Sequence, residues 1–344
     1  MPIFEKGYRR WDGEMRGRVF RWLTIAKQGI RLSWKGKWVR RFALVAWLPL
    51  LYYGLIFFAV GQMTDVSNLE KAREYWQFRM MEDMFGGPLA EKFAEDPASF
   101  RPLIWSLLVH FFMHYTQIFC VMIIVAIVGP KLVSEDMKSR ALSLYFSKPL
   151  GRIDYLFGKF AVVAFWVGAV TLLPSLVLYA VSILFSPGLE TLVQTLGIVP
   201  KVFLYSLFLM TGCGTIMLAL SSLSPNARLL GFVWAGFWVM SSVASRILSL
   251  TFFPPFGREG PVTEGNWTGL VSFSANFDAV GVRLFEIERL LGPVAAVSDR
   301  ADALLKNLSY GHAWGWSLLI IGALTALSAV VVFRRVGRPG EAGT

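Results

Sequence analysis

His110 and His114, in the run HFFMH, are the residues of this chain best spaced to do chemistry. Positions i and i+4 of a helix share a face, so both imidazoles can reach one metal ion or one haem. A catalytic zinc site of the HExxH kind needs a general base beside the first ligand, and Phe111 stands there instead. The one histidine left to complete such a site is His312. The same pair can also hydrogen-bond to neighbouring helices or face a hydrated cavity. Gly151 to Lys159, GRIDYLFGK, comes nearest to a nucleotide-binding loop. Six residues rather than four separate its glycines, and Phe160 replaces the Ser/Thr that would meet a metal, so it fails as a phosphate cradle. If ATP drives this protein, a separate chain is expected to bind it. The third polar feature is Arg246, inside an apolar run and roughly 10 Å from its end at 1.5 Å per residue. An arginine at that depth either snorkels to the interface or pairs, or it lines a pathway with Ser241, Ser242 and Ser245 and with the two histidines.

The elements that must position these residues read as membrane helices. The chain has 344 residues, 55% hydrophobic and 17% charged, with a mean hydropathy of +0.53; a soluble domain is about 25% charged. Cys120 and Cys213 both lie in apolar runs and read as small buried hydrophobes rather than a disulfide or zinc pair. Six runs approach or exceed the roughly 20 residues that a span needs: Phe42 to Val60, Ile104 to Val128, Phe160 to Phe185, Ile198 to Leu223, Leu229 to Phe253 and Trp314 to Phe333. Pro49 and Pro174 are expected to kink the first and third.

Charge orients the runs. Residues 1–41 carry twelve Lys/Arg against three acidic groups, +9 of the net +11. Placed directly before a span, that block fits an anionic lipid surface and argues against nucleic acid. It is too long to read as a signal peptide, so the first span is expected to be retained. Residues 129–159 hold six basic groups against three acidic, and the tail 334–344 holds three against one. Residues 61–103 and 254–313 are acidic on balance, eight against five and seven against five. The expectation is an all-α polytopic membrane protein with six spans over 42–333 and both termini cytoplasmic. Residues 1–41 would form an interfacial region, 129–159 a cytoplasmic loop, and 61–103 and 254–313 helical extracytoplasmic segments. In the first of these regions Val19, Trp22, Leu23, Ala26, Ile30, Trp34 and Trp38 make the apolar stripe of a basic amphipathic helix, which Gly29 and Gly36 weaken. LEKAREYWQFRMMEDMF reads as a polar helix in the first outer segment, and the stretch from Trp267 to Leu308 as short helices on the rim of the bundle.

The loop from Gly129 to Lys159 is the most informative segment. Ser134 to Phe146 can form an amphipathic helix with Leu132, Met137, Ala141, Leu144 and Tyr145 on its apolar side, stopped by Pro149 and turned at Gly151. Its Glu135, Leu142, Ser147, Pro149, Arg152, Gly158 and Lys159 occupy positions that resemble the first cytoplasmic loop of ABC-2 type transporter permeases. Ser139-Arg140 departs from that family's usual Gly-Thr. The resemblance extends to the layout of the whole chain: interfacial helix, six spans, a short second cytoplasmic turn and a helical insertion before the last span.

The resemblance implies a permease subunit of an ABC exporter working by alternating access in a prokaryotic inner membrane. It implies no cofactor in this chain, ATP and magnesium being held by a separate ATP-binding subunit. That subunit would grip a coupling helix carrying Glu135, Asp136, Lys138, Arg140, Leu142, Pro149 and Arg152. A second permease chain, identical or paralogous, completes such an assembly, with membrane lipid around it and room for a periplasmic or lipoprotein partner. Two alternatives stand beside it: a complex that transmits ATP hydrolysis to an extracytoplasmic motility or secretion machine, and a metal or haem protein using His110 and His114.

Overall fold

A computed structural model of the chain describes residues 20–63, 96–141, 151–186, 188–253 and 265–336, and the regular elements among them are helical. Six helical stretches are long and apolar enough to cross a membrane: Lys37–Gln62, Ala98–Lys138, Arg152–Leu184, Glu190–Ser221, Ala227–Phe252 and Trp314–Val336. Each covers one apolar run of the sequence. A chain in hydrocarbon must close its own backbone hydrogen bonds, and helices do so residue by residue.

The first span follows the basic helix α1 (Arg21–Trp34) and is divided into α2 (Lys37–Val45) and α3 (Leu48–Met63). The second comprises α4 (Arg101–Phe111), a π-helical turn at Phe112–Gln117, and α5 (Ile118–Val128), and it runs on through Gly129-Pro130 into α6 (Lys131–Lys138). The third is α7 (Arg152–Val170) and α8 (Leu172–Leu184). Short α9 (Leu189–Thr195) leads into α10 (Ile198–Ser221), and α11 (Ala227–Phe252) begins at Asn226, whose side chain accepts the Leu229 N–H. Then come α12 (Phe273–Leu284), α13 (Ile287–Ala295), α14 (Asp299–Leu308) and the last span, α15 (Trp314–Val336).

Both expected proline kinks occur, each one turn ahead of its proline. Pro49 and Pro174 have no N–H for the carbonyls of Val45 and Val170, four residues earlier, and α2 and α7 end at those residues. Side chains take up carbonyls beside the breaks: Gln117 Nε2 donates to Ala46 O at 3.0 Å and Trp47 Nε1 to Ala169 O at 3.1 Å.

Spans two, three and four make the centre of the bundle, with 56–61% of their apolar windows buried, against 17% for spans one, five and six. The outer three present wide apolar faces, such as Phe232, Met240 and Ile247 on α11. α12 corrects the expectation of a rim helix. Seven of its residues are buried, because it inserts against α10 and α15 with Phe273 and Phe277 pointing inward.

The basic helix α1 lies along α7. Trp34 stacks on Trp166 at 5.5 Å, and the Trp166 indole donates to Ser33 Oγ at 2.8 Å. Two glycines make the approach close. A Cβ on Gly158 would stand 2.7 Å from Ile25 Cβ and 2.9 Å from the Trp22 carbonyl, and one on Gly29 would stand 2.5 Å from a Val162 methyl. Gly29, which reads in the sequence as a weak point of the helix, is thus a packing requirement. Gly158→Ala is expected to destabilise the protein in detergent by about 1–3 kcal/mol through overpacking. Gly236→Ala on α11, where a Cβ meets nothing within 4 Å, is expected to be neutral or slightly stabilising, and thermal unfolding of the two variants checks the contrast.

Candidate functional site

Two polar sites lie at opposite ends of the second span. At one end α6 carries the loop residues singled out in the sequence. Its first residue follows Pro130, which offers no capping side chain, so the cap comes from another helix. Ser221, at the end of α10, accepts the Val133 and Ser134 N–H groups at 3.0 and 3.2 Å and donates to Pro130 O at 2.7 Å. Leu132, Val133 and Ser134 are buried beneath it. Asp136 then reaches the third span: Lys159 Nζ lies 2.6 Å from its Oδ2, and Tyr155 Oη donates to the same oxygen at 2.7 Å. The ion pair is largely shielded, the side chains being 12% and 15% exposed, and the Lys159 ammonium also sits over the Tyr155 ring.

Glu135, Lys138, Arg140 and Arg152 are exposed around this anchor. The helix is shorter than the Ser134 to Phe146 expected. It starts at Lys131 and ends at Lys138, with Ser139 as C-cap and Arg140 at φ 52, the left-handed position after a helix where glycine is common. Of the predicted apolar side Leu132 is buried, while Met137 and Ala141 are only half-buried, and Val133 and Ser134 complete the buried face instead. Leu142, Leu144, Tyr145 and Pro149 lie outside the described residues.

At the other end the two histidines do come together, their rings stacked at 5.8 Å and 9°. They meet a carboxylate that the sequence did not single out. His110 Nε2 lies 2.9 Å from Asp278 Oδ1, and His114 places Nδ1 3.0 Å from Tyr205 Oη and Nε2 3.6 Å from Asp278 Oδ1. Tyr310 and Tyr115 donate to Asp278 Oδ2 at 2.6 and 3.3 Å. One proton assignment accounts for these contacts: His110 donates from Nε2, Tyr205 donates to His114 Nδ1, and Asp278 accepts throughout, while His110 Nδ1 is left buried without a partner. Burial works to raise the Asp278 carboxyl, but the His114 imidazole and the hydrogen bonds from His110 and Tyr310 outweigh it and hold the group below the usual carboxylate range. Burial and the neighbouring Asp278 push the Tyr310 hydroxyl well up, which keeps it a donor. The π-helical turn falls here and includes His114; such turns recur where a helix must re-aim a side chain for function.

With three of the four imidazole nitrogens turned to Asp278 and Tyr205, the pair is built as a hydrogen-bonded tie. Among the described residues no group of three or more His, Cys, Asp or Glu side chains is set to hold a metal ion. The tie joins the second span, the fourth span and α12. One signal for Asp278 was present: it falls beside Phe277 and four residues before Val282, on the apolar stripe of its helix.

Arg246 is brought to neither site. It is exposed on α11 among the bare apolar residues, a position from which an arginine can snorkel. Its serine neighbours serve packing: Ser241 Oγ accepts the Phe273 N–H at 3.2 Å, and Ser245 Oγ donates to Thr268 O at 2.8 Å. Cys120 and Cys213 are free and buried, as expected.

Removing one partner of the buried tie should cost more than replacing both. Asp278→Leu is expected to destabilise by about 3–5 kcal/mol, and adding His110→Phe should recover only the share due to His110, since Tyr310, Tyr115 and His114 stay without their acceptor. Unfolding of the two single variants and the double variant measures the coupling.

Comparison with known proteins agrees with the layout. The family described as ABC-2 family transporter protein matches residues 23–335, from the first turn of α1 nearly to the end of α15. A search of the curated proteins finds no match to the chain. With six spans and a family match over nearly the whole length, the chain belongs to the ABC-2 family of transporter proteins and is a multi-pass transmembrane subunit of that family.

Proposed function

We propose that the chain is the permease of an ABC exporter, with α6 and the start of α7 forming the seat of a separate ATP-binding subunit. The observation that carries this reading is the two-sidedness of α6. One side is pinned to the fourth span through Ser221 and to the third through Lys159 and Tyr155. The other exposes Glu135, Lys138, Arg140 and, from α7, Arg152. A push on that surface displaces spans two, three and four together, since all three are tied to it. Alternating access follows if ATP-driven closure of the partner subunits supplies the push, with ATP and magnesium held there. The charge asymmetry of the loops supports a cytoplasmic position for α6 and both termini, in a prokaryotic inner membrane. The bare faces of spans one, five and six are where a second permease chain and lipid would lie. Leu142 and Pro149 complete the seat in this reading.

A second reading has a specific observation behind it. The His110–Asp278 tie joins the second span to α12, so motion of α6 would also reach the extracytoplasmic segment. That arrangement suits a complex that passes ATP-driven motion to a machine outside the membrane. Protein partners bound to the 265–313 region, together with an ATPase that no substrate stimulates, would favour it.

Affinity purification from the native membrane is expected to recover an ATP-binding chain. Glu135→Lys with Arg152→Glu should weaken that association at least tenfold, about 1.4 kcal/mol, while leaving the permease folded. Recovery of no such chain, or unchanged association in the charge-reversed variant, contradicts the reading.

A further inference from the structure

At the end of the bundle away from α6, the helices α12 and α13 and the first turn of α15 border a half-open cleft of about 340 Å³, lined by Arg283, Glu286, Arg289 and Trp314 with Val280 and Leu284 as its apolar wall. Lys201 stands beside it, on the fourth span twenty residues before Ser221 and so roughly 30 Å from α6. Two cations, Lys201 and Arg289, therefore pair with one carboxylate, and a third, Arg283, lines the same cleft. Both oxygens of Glu286 are engaged, Oε1 with Lys201 Nζ at 3.3 Å and Oε2 with Arg289 at 2.9 Å. Arg283 lies over the Trp314 ring at 6.0 Å, and no carboxylate meets it among the described residues. The backbone is held in an unusual form to achieve this. Glu286 is at φ 56, ψ 31, a left-handed conformation that is unfavourable for a non-glycine residue, and such outliers gather at binding sites.

The surplus of positive charge calls for an anion, and two guanidinium groups from different helices suit the oxygens of a phosphate. The surroundings decide which phosphate. Trp314 and Trp316 begin the last span, at the depth where indoles mark the headgroup layer. Below them Leu318 and Leu319 leave an apolar track open along α15. The cleft is large enough for a headgroup and too small for a whole lipid. We propose that it binds the phosphate of a membrane phospholipid between Arg283 and Arg289, with the acyl chains lying outside along α15. The site would hold α12 and α13 against the last span, and it stands whether or not an ATP-binding subunit docks at α6.

Native mass spectrometry of the full chain in detergent tests this, using a short-chain phosphatidylglycerol and inorganic phosphate as probes. The unmodified protein is expected to retain one phospholipid that Arg283→Gln with Arg289→Gln loses, with at least a tenfold fall in affinity for the short-chain lipid. Glu286→Gln removes the opposing charge and keeps every cation, so it should bind the lipid at least as tightly as the unmodified protein; it supplies an answer even if the double variant folds poorly. Unchanged lipid retention in the double variant, or weaker binding in a folded Glu286→Gln, overturns the proposal. So does inorganic phosphate competing as well as the short-chain lipid, because the site would then take the anion from solution and owe nothing to the acyl chains.

Discussion

The contact between Asp136 and Lys159 is the interaction on which the rest of the account depends. It joins α6 to the third span across the 139–151 loop, with Tyr155 completing the coordination of one carboxylate oxygen. A shielded ion pair of this kind is weak evidence for stability, because desolvation offsets much of the Coulomb gain. Its value here is registry. An apolar contact would let a short helix slide or roll on its neighbour, whereas two donors converging on a single oxygen set its rotation and depth. The Ser221 cap on the other side of α6 does the same toward the fourth span. A short helix at a membrane surface thereby becomes a rigid extension of three spans.

The second span links this anchor to the buried carboxylate at its far end. Between Asp136 and His110 the chain is helical apart from the turn at Gly129-Pro130, with the π-helical turn immediately after α4. Most polar groups at both ends find partners within the protein, as a low-dielectric surrounding demands, His110 Nδ1 being the buried exception. One end exposes charged side chains on its outer face and the other is closed around Asp278. A displacement at α6 therefore has a stiff path to α12, and the same construction would suit either the proposed export or the proposed transmission to a machine outside the membrane.

Much of this was legible in the sequence. The apolar runs mark the spans because hydrocarbon imposes length and composition directly. Pro49 and Pro174 mark breaks for a local steric reason, and Gly158 and Lys159 of the loop pattern have clear structural purposes, close approach of α1 and pairing with Asp136. What was hidden depends on partners far apart in the chain. Asp278 looked like one more acidic residue of an outer segment, since nothing local shows that His110, 168 residues earlier, will face it. Ser221 capping α6 from another helix is invisible for the same reason. The early end of α6 was missed because Arg140 is an unusual residue for a left-handed cap, so composition pointed to a longer helix.

The central claim is that α6 transmits force through Asp136. Its most direct test is made on the complex with its ATP-binding subunit, with spin labels at the ends of spans two and four remote from α6, comparing Asp136→Asn with the unmodified chain. The account predicts that the variant still binds the subunit and hydrolyses ATP while the nucleotide-dependent change in label separation is largely lost. A variant that shows the full change in separation would contradict it.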